Sequence, residues 1–348
     1  MTDNIEAAAF RDIFTRLKAN GKMVAPRGQK VIEVEGFTYE LPAYARFQTF
    51  ECRKYKTDYV KNEVLWYLRA NRGDMTILDH ASMWKGLVNA DNSINSNYGH
   101  YIFGPVNSLN GDVYRVADGY TSPNTYQRQH ISQFDGVLKT LTEDKDSRRA
   151  SIVILQPHHL LSDTKDVPCT YSMNFRIRDN KLNMSVHMRS QDGIFGMGND
   201  APAFSVIQEM VFVSLRDTVY PELEMGTYTH TADSFHVYER HFEMLETIVA
   251  GDGFTKLFCP QIVSIDEVRH LRGSIHLQYT EGKNSINYNM ISAAAKALEA
   301  ANNMLPTKVA NALSGATSDY EFSNWLLSGA HSAEAKRAAA SIQQQTSL

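Results

Sequence analysis

The sequence predicts a large globular domain that combines β-strands with α-helices. The stretch "VIEVEGFTYEL" at 31–41 alternates apolar and polar residues, which is typical of a half-buried strand. The stretch "YSMNFRIRDNKLNMSVHMRS" at 171–190 indicates two strands that turn at Asp179-Asn180. The long apolar run at 201–220 indicates a buried helix. We therefore expect strands and helices to pack together in one globule.

The remaining elements follow from local patterns. Residues 1–19 have the pattern of an amphipathic helix, and 57–70 open with Thr57 and Asp58 before apolar residues at helical spacing. We also expect a helix at 131–141 and a buried strand at 148–156. Residues 227–245 are expected to begin extended and end helical.

The composition changes near the C-terminal end of the sequence. After about residue 285 the chain becomes rich in Ala and Gln, as in "ISAAAKALEAANNML" and "AEAKRAAASIQQQTSL". Such segments favour helices but bury little apolar surface. We therefore expect a main domain over 1–285 and a helical extension with a flexible tail over 286–348.

Charge and cysteine content exclude several classes of protein. The chain has 348 residues, 43% hydrophobic, and 35 basic against 39 acidic residues give a net charge of −4, so nucleic acid is not an expected partner. The sequence shows no membrane-length apolar run and no signal peptide. The three widely spaced cysteines, Cys52, Cys169 and Cys259, fit free thiols in a reducing compartment. We expect a cytoplasmic protein of a bacterial or phage-infected cell, with no membrane partner and no bound metal.

Cys169 is the cysteine whose surroundings invite a chemical interpretation. It follows Pro168 at the entrance to the hairpin, and Arg189-Ser190 lies at the far end of the adjacent strand. A small buried hydrophobic residue is the ordinary role of an isolated cysteine. A nucleophilic thiol instead needs positive charge nearby to lower its pKa, and Arg189 could supply it.

Several motifs in order resemble those of thymidylate synthase and its relatives, the pyrimidine-nucleotide hydroxymethylases. The resemblance runs from about residue 20 to 245, weakens to about 285 and does not cover the tail. The motifs are Pro168-Cys169, the hairpin, "RSQD" at 189–192, a turn at Gly196, "PRG" at 26–28, "NEVLWYL" at 62–68, "DSRRASIVILQP" at 146–157 and "SFHVYERH" at 234–241.

The resemblance implies an α+β fold, in which helices cover one face of a large twisted mixed sheet. It further implies that residues 1–285 form the catalytic domain and that two subunits pack sheet to sheet as a homodimer with shared active sites. The substrates it implies are a pyrimidine nucleoside monophosphate and 5,10-methylenetetrahydrofolate.

The resemblance also implies roles for individual residues. Cys169 matches the nucleophile that adds to C6 of the pyrimidine, which makes C5 able to attack the folate's methylene group. Glu63 matches the general acid/base, although an exposed helix glutamate is the ordinary reading. The phosphate ligands would be Arg27, Arg189 and Ser190, with Arg148 and Arg149 from the partner subunit. On its own, the Arg148-Arg149 pair would be a solvated strand end.

The remaining matches concern the folate, the sugar and the base. Asp192 matches the aspartate that holds the pterin, and Trp84 matches a tryptophan that lines the folate pocket. Gly196 is also predicted to be a folate-binding residue. Tyr98 matches a tyrosine near the substrate. His236 and Tyr238 match the ligands of the ribose 3′-hydroxyl. Without the resemblance, Trp84 would be a core aromatic residue, and the His-Tyr pair would be a polar strand face.

Asp200 departs from the synthase pattern. It stands where the synthases carry a base-reading asparagine, whose amide suits uracil. A carboxylate accepts from N4 of cytosine and can form a charge-assisted pair with cytosine protonated at N3. This substitution predicts cytosine as the base. The alternative is that Asp200 only caps a helix that begins near Ala201-Pro202.

Two further departures bear on the product. Thr170 replaces the usual histidine beside the cysteine, and the ending "SIQQQTSL" does not resemble the short apolar tail that seals the folate in synthases. Water would then quench the intermediate, giving a 5-hydroxymethyl group. The prediction is a cytidylate (dCMP or CMP) 5-hydroxymethyltransferase. The alternatives are a dUMP hydroxymethylase, a thymidylate synthase, a dCMP 5-methyltransferase, or an idle nucleotide- or RNA-binding relative. Ribose or deoxyribose, and the role of 286–348, are left open.

Overall fold

The fold combines one mixed β-sheet with helices. The computed structural model describes residues 5–45, 48–104, 132–251, 253–256, 259–280, 321–323 and 325–329. The Ala- and Gln-rich segments on which the C-terminal extension was predicted lie outside these residues. No helix in these ranges is long and apolar enough to cross a membrane.

Seven strands form the main sheet and two form a small separate one. The main sheet has the order β1-β2-β8-β6-β5-β4, and β7 also pairs with β8. All neighbours are antiparallel except β6 with β8 and β7 with β8, which are parallel. The strands are β1 (Lys22–Val24), β2 (Val31–Leu41), β3 (Gln48–Phe50), β4 (Ser151–Val153), β5 (Thr170–Arg178), β6 (Lys181–Met188), β7 (Gln191–Asp192), β8 (Glu224–Tyr238) and β9 (Phe254–Lys256), with β3 and β9 forming the small sheet.

The helices pack around this sheet and one another. Helix α6 packs on β6 and β8, while α2 contacts α3, α6 and α8. The helices are α1 (Ile5–Asn20), α2 (Thr57–Arg69), α3 (Tyr98–Phe103), α4 (Gln133–Glu143), α5 (Pro157–Leu161), α6 (Gly196–Thr218), α7 (Phe242–Ala250) and α8 (Ile265–Thr280). The predicted α+β class with a mixed sheet is confirmed.

The hairpin of β5 and β6 confirms the predicted turn. Arg178 pairs with Lys181, so Asp179 and Asn180 alone connect the strands. Both residues adopt left-handed backbone conformations, with φ of 49° and 58°. Two-residue hairpin turns often require this conformation, and Asp and Asn tolerate it better than most residues.

The strand predicted over 148–156 is shorter and less buried than expected. Strand β4 is at the edge of the sheet and pairs with β5 alone. Val153 is 45% exposed, and among the described residues no other strand pairs with β4. Pro157 then begins α5, which ends the extended segment.

The long helix begins earlier than predicted. The apolar run and Pro202 suggested a start near residue 201, because proline favours the first turn of a helix. In the structure α6 begins at Gly196 and includes Pro202. Arg53 stabilises the added turn, since Nε donates to the Ile194 carbonyl at 2.7 Å and Nη2 to Asn199 Oδ1 at 3.1 Å.

A short helical segment near the C-terminal end completes the core. Phe322 and Leu326 are fully buried. The buried Glu267 of α8 accepts hydrogen bonds from the backbone N–H and the hydroxyl of Ser323, at 2.9 and 3.1 Å. Lys61 of α2 donates to Ser328 Oγ at 3.0 Å. Hydrogen bonds therefore connect Ser323 to α8 and Ser328 to α2.

This packing predicts that Leu326→Ala destabilises the whole domain. Removing a fully buried leucine side chain costs about 3 kcal/mol of unfolding free energy through lost burial and a residual cavity. Urea unfolding followed by circular dichroism measures the change. Glu321→Ala, which truncates an exposed residue of the same segment, should cost less than about 0.5 kcal/mol. Equal losses in the two variants would show that the segment is not part of the core.

Candidate active site

Cys169 lies immediately before β5, in a turn that Arg189 holds in place. Arg189 Nε donates to the Pro168 carbonyl at 3.1 Å, and Nη2 donates to the Val167 carbonyl at 2.7 Å. The same Nη2 lies 3.5 Å from the Cys169 Sγ. The backbone N–H of Cys169 donates to the hydroxyl of Tyr98 at 3.3 Å. The predicted nucleophile, arginine and tyrosine therefore lie together.

Burial and positive charge act in opposite directions on the thiol of Cys169. Burial raises its pKa, and the nearby charges of Arg189 and Arg27 lower it. The carboxylates of Asp200 and Asp166 raise the pKa further. Thiolate formation in this turn thus depends on the two guanidinium groups.

The predicted phosphate ligands fall into two groups. Arg189 and Arg27 are close enough to Cys169 for their charges to act on it, and Ser190 follows Arg189 directly. Arg27 is exposed and has a φ of 53°, which directs it away from the regular strand path. Arg148 and Arg149 are exposed just before β4, and neither guanidinium bonds to any residue within the described ranges. The structure brings the first three ligands to the thiol and leaves this pair on the surface.

Glu63 occupies the buried face of α2 and is not the exposed helix glutamate considered above. Glu63 is only 4% exposed. Tyr59 donates to Glu63 Oε1 at 3.2 Å, and Trp84 Nε1 donates to the Tyr59 hydroxyl at 3.1 Å. Burial, followed by the charge of Asp200, raises the pKa of Glu63 to about 8. The carboxyl group can therefore hold and release a proton near neutral pH.

Asp200 lies within the first turns of α6 and bonds to a buried glutamine. Gln191 Nε2 donates to Asp200 Oδ2 at 3.2 Å, and Tyr39 donates to Gln191 Oε1 at 3.1 Å. Burial raises the pKa of Asp200 to about 7, with a further increase from Asp192, while the bond from Gln191 lowers it. The pKa values of both Glu63 and Asp200 are thus raised toward neutrality, and the charge of Asp200 contributes to the increase at Glu63.

The helix-cap interpretation of Asp200 is wrong. Because α6 begins at Gly196, Asp200 is inside the helix rather than ahead of it. The N-cap residue is Phe195, and no side chain caps the helix; the Asp192 carboxylate accepts from the backbone N–H groups of Ile194 and Phe195, at 3.2 and 3.0 Å, in the turn just before the helix. A Cβ at Gly196 would lie 3.4 Å from the Asp192 Cβ and 3.6 Å from Asp200 Oδ2. The glycine therefore leaves space between the two carboxyl groups.

His236 and Tyr238 lie on one side of β8, as their spacing predicts. Their ring centroids are 5.1 Å apart and the rings are nearly perpendicular. Asp192 on β7 is opposite His236, and the Gly193 N–H donates to the His236 carbonyl at 2.7 Å. The residues predicted to bind the ribose, His236 and Tyr238, therefore lie beside the residue predicted to bind the folate, Asp192.

Sequence reasoning missed the residues that support the carboxyl groups. Tyr59, Tyr39 and Gln191 have no distinctive spacing, and only their hydrogen bonds show their involvement. Arg53 was also missed. Its guanidinium lies over Tyr55 and Phe195, and a Cβ at Gly198 would approach its Cζ to 2.8 Å. The basic stretch "ECRKYK" was the available hint.

Together these residues provide a thiol, guanidinium groups, the buried carboxyl of Glu63 and the partly buried carboxyl of Asp200 in one region. This combination supports nucleophilic addition to an electron-poor ring, proton transfer and binding of a phosphate dianion. Within the described ranges, no group of three or more His, Cys, Asp or Glu side chains is arranged to hold a metal ion.

Comparison with known proteins gives two kinds of match. The sequence profile "Thymidylate synthase" matches residues 8–271. A deoxyuridylate hydroxymethyltransferase of Bacillus phage SP01 is 29% identical over 235 residues, which are 66% of this chain and 56% of the phage protein. A deoxycytidylate 5-hydroxymethyltransferase of Enterobacteria phage T4 is 26% identical over 236 residues, 66% of this chain and 85% of that protein. The chain thus spans little more than half the length of the SP01 protein.

The raised pKa of Glu63 predicts a specific pH dependence of stability. The folded protein holds this proton up to about pH 8, whereas the unfolded chain releases it near 4.5. The folded state therefore binds more protons between these values, and the unfolding free energy falls as pH rises. Glu63→Gln should reduce that fall, between pH 5 and pH 8, by roughly 3 kcal/mol.

Urea unfolding at about pH 5 and pH 8 measures this difference. Asp200 contributes in the same direction up to about pH 7 and remains in the variant, so part of the dependence should persist. Glu40→Gln, at an exposed strand position, is the matched control. A Glu63→Gln profile parallel to wild type would contradict the burial of an uncharged carboxyl.

Proposed function

The chain belongs to the thymidylate synthase family, and from that premise we propose that it hydroxymethylates C5 of a cytidylate with 5,10-methylenetetrahydrofolate. The observation that carries the proposal is the partly buried carboxyl of Asp200, which accepts a hydrogen bond from Gln191 and whose charge acts on Glu63. The phage relatives named above are hydroxymethyltransferases of pyrimidine nucleotides, which favours this product over a methyl group.

The proposed mechanism begins with the thiolate of Cys169. Its sulfur forms a bond to C6 of the pyrimidine, and the electron pair of the C5–C6 double bond becomes available at C5. Arg189 stabilises the thiolate and, with Arg27 and Ser190, binds the nucleotide phosphate. Glu63 transfers protons through the Tyr59 hydroxyl or water beside the ring.

The folate-binding candidates suit their ligand chemically. Trp84 offers an aromatic wall, the partly exposed Asp192 offers acceptors for a pterin, and Gly196 leaves the space between the carboxyl groups open. When bound, methylenetetrahydrofolate supplies the one-carbon unit that C5 receives. Loss of the C5 proton would release tetrahydrofolate, water would add to the methylene carbon left on C5, and departure of the Cys169 thiolate from C6 would restore the ring's double bond.

Asp200 supports cytosine as the base. Cytosine protonated at N3 presents two donors, N3–H and N4–H, which match the two acceptors of a carboxylate. The positive charge on the ring also makes C6 more electrophilic. Uracil presents one donor and one acceptor, so a carboxylate satisfies only half of its pairing edge.

A deoxyuridylate hydroxymethyltransferase is the second candidate, since the SP01 relative carries that name. It would use the same nucleophile and folate site and differ at the base. Asp200 is the residue that argues against it.

A shared-site homodimer is the proposed assembly. Arg148 and Arg149 project from the edge of one subunit without a bonding partner among its described residues. We propose that they reach the nucleotide phosphate in the other subunit, which would give that dianion four arginine ligands. The nucleotide and the folate are the expected small-molecule partners, in the cytoplasm of the bacterial or phage-infected cell.

Product analysis tests the proposed function directly. The protein is incubated with methylenetetrahydrofolate and, separately, with CMP, dCMP or dUMP, and the products are identified by mass spectrometry. A 5-hydroxymethylcytidylate supports the proposal. A hydroxymethylated or methylated uridylate supports one of the alternatives, and nucleotide binding without product would indicate a catalytically idle relative.

Asp200→Asn should move base preference from cytidylate toward uridylate. The amide loses the charge-assisted pair with cytosine and gains the donor and acceptor that uracil needs. Because a broken hydrogen-bond pattern costs several kcal/mol, the ratio of kcat/KM for dCMP to that for dUMP should fall roughly 100-fold. Steady-state kinetics with both nucleotides measures it, with melting temperature as the folding control. An unmoved ratio would remove the base-reading role.

Mixing two inactive variants should restore activity if the sites are shared. Cys169→Ser lacks the nucleophile, and the double variant Arg148→Ala with Arg149→Ala lacks the arginines offered to the partner. In a heterodimer one site has both intact, so activity should return to roughly a quarter of wild type in an equal mixture. Activity assays across mixing ratios measure this. Mixtures inactive at every ratio would place the arginines within their own site or exclude the dimer.

A further inference from the structure

A chain of buried polar side chains lies behind Asp200. Gln191 is 1% exposed and bonds to Asp200 Oδ2 through Nε2 at 3.2 Å. Its other amide atom, Oε1, accepts from the Tyr39 hydroxyl at 3.1 Å. Gln191 lies in the motif "RSQD" but received no role from the resemblance, and Tyr39 lies outside the motifs. Both sides of the Gln191 amide are therefore committed to buried partners.

Tyr39 determines which end of this amide faces Asp200. Its ring is stacked on that of buried His230, with centroids 5.0 Å apart and an interplanar angle of 3°. Tyr228 in turn bonds to His230 Nδ1 at 2.7 Å. Burial keeps the Tyr39 phenol protonated by raising its pKa. Because Gln191 Oε1 accepts the phenolic hydrogen, the NH2 end is directed at the carboxyl group.

This orientation matters for the proton shared by Asp200 and a cytosine. The pair holds one proton, which can sit on the carboxyl or on N3 of the base. An N–H donor stabilises a carboxylate oxygen more than a neutral carboxyl oxygen. Asp192 acts in the opposite direction and favours the protonated carboxyl. The donor from Gln191 offsets that effect.

We propose that Gln191, oriented by Tyr39, is a positioning residue that keeps this shared proton on N3 of the cytosine. The inference rests on the proposed function. Asp200 then binds as a carboxylate and the base as a cation, which is the more electrophilic form for addition of the Cys169 sulfur to C6. Without the donor, the proton returns to the carboxyl and the base is bound but less activated.

Gln191→Met tests the proposal, because methionine has nearly the same length and volume but no N–H donor. With cytidylate and methylenetetrahydrofolate, kcat should fall roughly 10- to 100-fold, the loss expected for a hydrogen bond to a charged group. KM should change less than about threefold, since the neutral pair keeps both hydrogen bonds. Tyr39→Phe keeps the amide but frees its orientation, and kcat should fall about 3- to 10-fold.

A spectroscopic measurement locates the proton itself. In Cys169→Ser protein, which cannot add to the ring, the 15N chemical shift of N3 in bound labelled cytidylate reports protonation. The shift should be that of a protonated N3 with Gln191 present and should move toward the neutral value in Cys169→Ser with Gln191→Met.

Tyr228→Phe is the matched control, because Tyr228 is also buried and bonds to His230, on which the Tyr39 ring is stacked. It removes the hydroxyl that bonds to His230 but leaves the Tyr39, Gln191 and Asp200 contacts in place. The kcat of Tyr228→Phe should match that of the wild type. In the Cys169→Ser background, Tyr228→Phe should leave the N3 shift unchanged. If Gln191→Met, Tyr39→Phe and Tyr228→Phe all lose kcat in proportion to their loss of melting temperature, the role of Gln191 is only structural.

The outcomes separate this inference from the function on which it rests. A wild-type protein that prefers uridylate overturns both. A clear preference for cytidylate, combined with unchanged kcat and unchanged N3 shift in Gln191→Met, overturns the inference alone. If Gln191→Met fails to fold, the same criteria apply to Tyr39→Phe.

Discussion

The parallel pairing of β6 with β8 is the constraint on which the site depends. Antiparallel neighbours can be joined by two residues, as β5 and β6 are, but parallel neighbours require a long crossover. Here that crossover contains β7 and α6. It begins at the end of β6, beside the turn that carries Cys169, and its first helical turns hold Asp200. The thiol of Cys169, the carboxyl of Asp200 and His236 of β8 are brought together by this one connection.

The crossover also explains why the carboxyl groups are unusual. Helix α6 is buried along most of its length, so a polar residue near its start is enclosed by the same packing that stabilises the sheet. Glu63 is enclosed in the same way by the packing of α2 against α6. Desolvation disfavours the charged forms, and each carboxyl group then depends on a few directed hydrogen bonds. Function in this region is therefore coupled to core packing.

The sequence was most informative where chemistry or turn geometry restricts the residue type. The Asp179-Asn180 turn and strand β2 follow from local pattern, and β2 has the predicted bounds. Cys169, Glu63 and Asp200 were found because their motifs occur in a recognisable order. Gln191 and Tyr39 could not be found in this way, since a glutamine and a tyrosine far apart in sequence carry no pattern until the sheet joins them. The start of α6 was missed for a related reason: tertiary bonds from Arg53 override the local effects of glycine and proline.

The burial of Phe322 and Leu326 has a consequence for how the protein is made. These side chains belong to the same core as residues of α1 and α2, although several hundred residues separate them in sequence. During translation the sheet and its crossover leave the ribosome before the last part of their core exists. Until the segment that carries Phe322 and Leu326 is synthesised, the apolar surface that these two side chains cover stays exposed to solvent, so the core can close only at the end of translation.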